Sequence, residues 1–242
     1  MFFGAAATWY TNDMVIYVIG FIGSDRMAVA RAASEQHGIP LYDLAAEIQE
    51  RDGRTIRRMV ITMGEHELRT KEYETLTAIL RELGEPADPS EIAVGTAAEI
   101  AGSVAVGNAI DPDLPTICSR NKQQADAAGL GEDPACTASN DSAAACGYSA
   151  VICCTDDLIL DPMSADLVRA GEVIIADDPA TAGNPELAIA RLDAMFERAI
   201  AQAPDDQSLH YAFLLDPDKA AAREKFMKLY EQRRPLYESF RK

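Results

Sequence analysis

Short apolar runs alternate with longer amphipathic segments in two parts of the chain. Four short, mainly apolar runs predict strands of a buried parallel sheet, over residues 15–19, 40–43, 150–154 and 173–176. Helical periodicity and helix-ending residues predict six helices, over residues 28–37, 45–51, 65–83, 162–170, 185–203 and 218–233. The opening order of strand, loop, helix and strand predicts an α/β domain with a parallel sheet.

The segment between these two parts has a different composition. Residues 85–147 are rich in Ala, Gly, Ser, Asp and Pro and show little periodicity after Ile110. A structureless segment of this length is uncommon inside a compact domain. We therefore expect an N-terminal appendage over 1–13 and one α/β domain over 14–242, with an insertion at about 85–148.

Charge and cysteine content narrow the classes of partner. The formal net charge is −17, which disfavours nucleic acid and anionic membranes as partners. No apolar run reaches the roughly 18 residues that a membrane helix needs. The chain has five cysteines, an odd number, and its first residues do not resemble a secretory signal. We expect a cytoplasmic protein with free thiols.

The loop after the first strand has part of a phosphate-binding motif. In such loops glycines let backbone N–H groups approach phosphates, a Lys contacts the β and γ oxygens, and a Ser or Thr holds Mg²⁺. Gly20 and Gly23 stand at glycine positions, but the next positions carry Ser24, Asp25, Arg26 and Met27. A carboxylate repels phosphate, and a thioether does not bind Mg²⁺, which prefers oxygen ligands. The Cβ of Asp25 also disfavours the positive φ that these loops use.

Several flanking segments, in this order along the chain, resemble the shikimate kinases. They include the sequences of residues 16–24, 38–48 and 64–72, then 160–177, and finally Gln232-Arg233-Arg234-Pro235-Leu236-Tyr237. The resemblance covers about residues 14–84 and 149–240. It implies a P-loop-type three-layer α/β/α domain with a short parallel sheet. That family transfers a phosphoryl group from ATP, with Mg²⁺, to the 3-hydroxyl of shikimate.

The resemblance also implies site residues. Arg69 and Arg233 match the two arginines that bind the substrate carboxylate, and Glu72 stands where a glutamate would orient Arg69. Two guanidinium groups suit one carboxylate because they form charge-assisted bidentate bonds. Asp43 matches the acidic residue near Mg²⁺, and Arg26 takes the place of the loop Lys. An active enzyme would therefore use Arg26 and Asp43.

Other positions depart from the family pattern. Ala45 replaces an acidic residue that binds substrate hydroxyls. Thr155-Asp156-Asp157 replaces a glycine triplet after the third strand, unless that strand is 92–94 with Gly95-Thr96-Ala97 after it. In the lid, Ala212-Phe213-Leu214-Leu215 lacks a catalytic Arg. The family's fifth strand, adenine-contacting loop and last helix have no counterpart after Tyr237, which predicts a truncated C-terminus.

These departures lead to a hypothesis and two alternatives. The leading hypothesis is a pseudoenzyme that has lost ATP binding and phosphoryl transfer and has a binding or regulatory role, with no cofactor expected. The first alternative is a divergent active kinase that uses ATP and Mg²⁺, and the second is a protein that binds shikimate or a similar carboxylate. A protein partner is also possible for this scaffold.

Some of the same residues have purely structural interpretations. Arg69 and Arg233 could be ion-paired helix residues. Asp156 and Asp157 are expected to form a helix-capping turn, with a cation site shared with Asp43 as the alternative. His37, His66 and His210 are expected on the surface.

Overall fold

The computed structural model describes residues 14–85, 87 and 148–241. These residues form one four-stranded sheet in the order β2-β3-β1-β4, in which every pair of neighbouring strands is parallel. The strands are β1 (Met14–Ile19), β2 (Leu41–Asp43), β3 (Tyr148–Cys153) and β4 (Glu172–Ile175). The rival third strand at 92–94, the appendage at 1–13 and almost all of the expected insertion lie outside the described residues.

Seven α-helices accompany the sheet in the described part of the chain. They are α1 (Arg26–His37), α2 (Leu44–Asp52), α3 (Ile56–Met63), α4 (Glu65–Leu83), α5 (Pro162–Ala170), α6 (Pro185–Gln202) and α7 (Lys219–Glu238). None of the helices in these ranges combines the length and apolar character needed to cross a bilayer.

The central strand, β1, packs on both of its faces. Its side chains alternate across the sheet. Ile16 and Val18 face a small core that includes Ala30 and Ala33 of α1. Val15, Tyr17 and Ile19 face the larger core, to which α2 through α7 all contribute. The predicted three-layer arrangement around a short parallel sheet is thereby confirmed.

The predicted elements agree with the structure to within two residues, with two exceptions. Helix α3 was not predicted from the sequence. It begins after Thr55, and the Thr55 side chain accepts a bond from the backbone N–H of Arg58. The last predicted helix ends at residue 233, before Pro235, but α7 continues through this proline to Glu238. The helix is held there by Tyr237, which is buried and packs edge-on against Phe21.

Candidate functional site

A cleft of about 340 Å³ lies beyond the carboxyl ends of β1, β2 and β3. This is the edge of a parallel sheet at which ligands bind in open α/β folds. The cleft is lined by the loop residues Ser24, Asp25, Arg26 and Met27, by Asp43, Ala45, Gln49, Ile56, Leu68 and Glu72, by Cys153, Cys154, Thr155, Asp156 and Asp157, and by Gln202, Asp206, Ser208 and His210.

The loop between β1 and α1 is fixed by one glycine. Gly23 has a φ of 73°, and a Cβ there would overlap the backbone oxygen of Met195 in α6. Asp25 has a φ of −86°, so the expectation that its Cβ conflicts with a positive φ is wrong. The left-handed residue of this loop is Gly23, which tolerates that conformation without steric cost.

A carboxylate of the chain already accepts a bond from this loop. The backbone N–H of Asp25 donates to Oδ2 of Asp177, at 3.0 Å. Arg198 forms an ion pair with Asp177 and donates from Nε to the carbonyl of Gly23, at 2.8 Å. Asp177 has a φ of 51°, an unusual conformation for a non-glycine residue. The Asp25 amide is thus bonded internally, while the Asp25 carboxylate is exposed.

The cation at the Lys position of the loop is paired with an acid from β3's carboxyl end. Nη1 of Arg26 forms an ion pair with Oδ1 of Asp156, and both side chains are largely buried, at 16% and 6% exposure. Burial raises the pKa of Asp156 above its ordinary value, although the charge of Arg26 opposes this change. The positive charge of Arg26 is therefore neutralised within the protein.

Asp157 forms a second buried charge network. Its Oδ1 accepts a bond from the Tyr211 hydroxyl at 2.6 Å and lies 2.8 Å from Nη2 of Arg233. Its Oδ2 lies 3.2 Å from Nε2 of His210. Burial opposes ionisation of Asp157, but the contacts with His210, Arg233 and Tyr211 outweigh it and lower the pKa to about 2. Asp157 is accordingly a buried anion that holds Arg233.

These contacts correct two expectations. His210 is not a surface residue, because its side chain is only 4% exposed and stacks on Tyr211. Asp156 and Asp157 do not form a capping turn. The 3₁₀ turn at Leu158–Leu160 follows Asp157 without any side-chain capping bond, and both carboxylates are used in ion pairs.

Glu72 of α4 is the most deeply buried acid in the cleft wall, with 1% exposure. The Thr155 hydroxyl donates to its Oε1, whereas its Oε2 has no hydrogen-bond partner among the described residues. Burial raises the pKa of Glu72 to about 8, and the nearby Asp157 and Asp156 contribute in the same direction. Glu72 is therefore largely protonated at neutral pH.

Part of the chain is similar in sequence to curated shikimate kinases. No family model matches the chain. The shikimate kinase of Bacillus cytotoxicus is 33% identical over 64 residues, which are 26% of this chain and 39% of that protein. The shikimate kinase of Aquifex aeolicus is 38% identical over 63 residues, or 26% of this chain and 38% of that protein. The matched region therefore spans about two fifths of each relative's length.

A solved structure extends the likeness to the whole fold. The shikimate kinase of Acinetobacter baumannii in complex with shikimate superimposes with a TM-score of 0.52 and 16% identity, covering 94% of this chain and 80% of that one. The chain is shikimate-kinase-like. The predicted resemblance and the P-loop α/β fold are thereby confirmed.

In this shikimate-kinase-like chain, the two arginines matched to substrate binding have partners within the protein. Arg69 lies 3.4 Å from Glu65, one turn earlier on α4, and is not hydrogen-bonded to Glu72. Arg233 contacts Asp157 and Tyr211. Neither arginine is among the residues that line the cleft. The structure thus gives both arginines partners within the protein.

Two positions match Mg²⁺-binding residues. Asp43 is bonded to other groups of the protein, and Met27 has no side-chain oxygen. Oδ1 of Asp43 caps α2 by accepting bonds from the backbone N–H groups of Ala45 and Ala46, at 3.1 and 3.4 Å. Met27 offers only a thioether at the Ser/Thr position. Within the described ranges, no group of three or more acidic, His or Cys side chains is arranged to hold a metal ion. The described side chains at the positions matched to Mg²⁺ binding do not fit this ion.

The sequence reading missed one residue that shapes the cleft. Arg57 of α3 donates from Nε to the carbonyl of Leu209 at 2.9 Å, and from Nη2 to the carbonyls of Asp206, at 2.7 Å, and Ala203. These bonds fix the segment that carries Asp206 and His210 to the cleft. The apolar spacing of α3 gave a signal for the helix, but nothing local gave one for the carbonyls that Arg57 binds.

Proposed function

We propose that this protein is a shikimate-kinase-like pseudoenzyme that has lost MgATP binding and phosphoryl transfer and acts in the cytoplasm as a binding or regulatory protein. One observation carries the proposal: the chain's own carboxylates already hold Arg26 and Arg233, two cations at this end of the sheet. Asp156 neutralises Arg26, and Asp157 neutralises Arg233. A phosphate or substrate carboxylate would have to displace a buried ion pair to reach either guanidinium.

The charge of the cleft supports the same conclusion. Its lining includes six carboxyl groups and one arginine; the carboxyl groups belong to Asp25, Asp43, Glu72, Asp156, Asp157 and Asp206. Two like charges 4 Å apart repel by about 4 kcal/mol at an effective dielectric of 20. Glu72 is largely protonated, and Asp156 and Asp157 are paired with arginines. A triphosphate in this cleft would therefore meet the unpaired carboxylates of Asp25, Asp43 and Asp206 and little compensating positive charge.

Two other segments also lack groups that a kinase site needs. We interpret the loop from Gly20 to Met27 as a degenerate phosphate loop, because the Asp25 amide is bonded to Asp177 and Met27 cannot bind Mg²⁺. The segment Ala212–Leu215 forms an apolar 3₁₀ turn, so it supplies no cation to a transferring phosphoryl group.

A coupled assay with shikimate, ATP and Mg²⁺ tests this proposal. We expect no turnover above the background of a matched Arg26→Ala preparation. Turnover near an ordinary kinase rate of about 1–100 s⁻¹, lost in Arg26→Ala, would instead support the divergent-kinase alternative.

Binding of a small carboxylate is the second candidate function. It is favoured by the Nε atom of Arg69, which is buried and has no hydrogen-bond partner among the described residues. The solved relative from Acinetobacter baumannii contains shikimate, so shikimate is the natural probe. In this case shikimate should raise the melting temperature without ATP, and Arg69→Gln should abolish the rise.

A further inference from the structure

Three carboxylates at the rim of the cleft have no ion-pair partner in the described part of the chain. Asp25 is exposed, whereas Asp43 and Asp206 are half-buried. Asp43 accepts two backbone N–H bonds, and Asp206 accepts bonds from the backbone N–H and the hydroxyl of Ser208, at 2.8 and 2.6 Å. These bonds satisfy oxygen lone pairs but leave the negative charges uncompensated.

A fourth carboxyl group, deeper in the cleft, has an unused oxygen. Glu72 is 1% exposed, and its Oε2 lacks any partner in the described ranges. A buried polar atom without a partner is rare and destabilising, so such atoms often mark a missing ligand. Glu72 comes from α4, whereas the rim carboxylates come from three other segments. Its unpartnered oxygen is therefore an observation independent of the rim charges.

The rest of the wall indicates the kind of cation that fits. Ile56, Leu68 and Ala45 supply apolar surface, and the volume of about 340 Å³ suits a small organic molecule. The described residues include no cluster arranged to hold a metal ion. An organic cation needs only hydrogen-bond acceptors around its N–H groups, together with apolar surface for its carbon chain.

We propose that the cleft binds a small organic amine in its ammonium form, with the ammonium group between Glu72 and the rim carboxylates of Asp43 and Asp206. This inference deepens the proposed function, on which it rests, by naming the ligand class of the same cleft. The exposed carboxylate of Asp25, which opposes a phosphate, favours a positive ligand.

The test uses three four-carbon probes that differ in charge. Butane-1,4-diamine is a dication, butane-1,4-diol is neutral and succinate is a dianion at pH 7. Each is titrated calorimetrically into the full chain in about 150 mM salt, a concentration that screens exposed charges. We expect saturable binding of the diamine at one site per chain and none of the diol or succinate.

Two variants locate the site and one serves as the control. Glu72→Gln keeps the size of the side chain, and Asp43→Asn keeps a residue that caps helices well. Each should weaken diamine binding about tenfold or more. Asp43→Asn removes a negative charge, and Glu72→Gln removes a carboxyl group that gives up its proton when an ammonium group binds beside it. Glu82→Gln removes an exposed carboxylate that pairs with Arg51 outside the cleft, and it should leave binding unchanged.

The outcomes separate this inference from the proposed function. Absence of diamine binding, equal binding by the Glu72→Gln and Asp43→Asn variants, or equal weakening in Glu82→Gln would overturn the inference. Saturable binding of succinate but not of the diamine would overturn it in favour of an acid ligand. A parallel MgATP titration reports on the proposed function alone, because nucleotide binding contradicts loss of the kinase site whatever the diamine does.

Discussion

Two neighbouring segments at the carboxyl edge of the sheet contribute differently to the charge of the cleft. The loop after β1 keeps Gly23 in its left-handed conformation and keeps a cation, Arg26. The segment Thr155-Asp156-Asp157, after β3, supplies the carboxylates that neutralise Arg26 and Arg233. The comparison teaches that a glycine-containing loop and its cation can be present while the charge of the cation is cancelled from the adjacent strand.

We expect the largest loss of stability from a substitution at Gly23, in the loop after β1. Gly23→Ala combines a left-handed backbone with overlap on the Met195 carbonyl, so we expect it to lower the free energy of unfolding by about 4 kcal/mol or more. Gly38→Ala is the matched control, since Gly38 also has a positive φ but has no atom within 4 Å of an added Cβ. It should cost about 1–2 kcal/mol. Equal losses in urea denaturation would contradict the packing argument.

We expect the second largest loss of stability from a substitution at Asp157, in the charge network after β3. Asp157→Asn leaves Arg233 without a buried anion and should destabilise the protein by about 3 kcal/mol at pH 7. Because the pKa of Asp157 is lowered to about 2, its stabilisation is complete above about pH 4 and is lost as the pH falls to about 2. The variant should lack this acid transition in pH-dependent unfolding. Asp166→Asn, at an exposed pair with Arg169, should change little.

The carboxyl group of Glu72 should affect stability less than that of Asp157, and its effect should have the opposite pH dependence. Its pKa is raised to about 8 by burial, with Asp157 and Asp156 adding to the shift and Thr155 and Arg69 opposing it. The folded state therefore holds a proton that the unfolded state has lost above about pH 4.5, so stability falls as the pH rises toward 8 and is constant above it. Relative to Glu72→Gln, the parent should lose roughly 2 kcal/mol between pH 6 and 7.5. Parallel stability curves for the two proteins would contradict this account.

The smallest effect is expected on α4, away from both segments. The ion pair of Arg69 with Glu65 is partly exposed, with side-chain exposures of 34% and 59%. Glu65→Gln should therefore change the free energy of unfolding by less than about 0.5 kcal/mol in urea denaturation. A loss above about 1 kcal/mol would show that this pair has a structural role comparable to that of the buried pairs.

Much of the fold could be predicted because its signals are local. The apolar run of β1 and the glycine that ends α4 identify their elements without knowledge of distant contacts. The local signal for α3 was present in the spacing of Ile56, Met59, Val60 and Met63. The error at Pro235 has a tertiary cause, because Tyr237 and Phe240 are buried beyond it and the helix persists at the cost of one backbone bond.

The chemistry of the cleft could be predicted only in part. The resemblance identified Arg26 and Asp43, and the structure places both in the cleft wall. The ion pairs of Arg26 with Asp156 and of Arg233 with Asp157 join residues far apart in the chain, and they depend on β3 lying beside β1. The lack of a hydrogen-bond partner for Oε2 of Glu72 likewise depends on which side chains pack around it in the fold. The spacing of residues in the sequence does not show this packing.

Calorimetric titration of MgATP into the full chain tests the central claim most directly. If Arg26 and Arg233 are neutralised by Asp156 and Asp157, the protein should show no saturable binding up to about 1 mM nucleotide. A site with millimolar affinity would be half occupied at that concentration. Saturable binding in the micromolar range, abolished by Arg26→Ala, would contradict the account and show that Arg26 is available to phosphate.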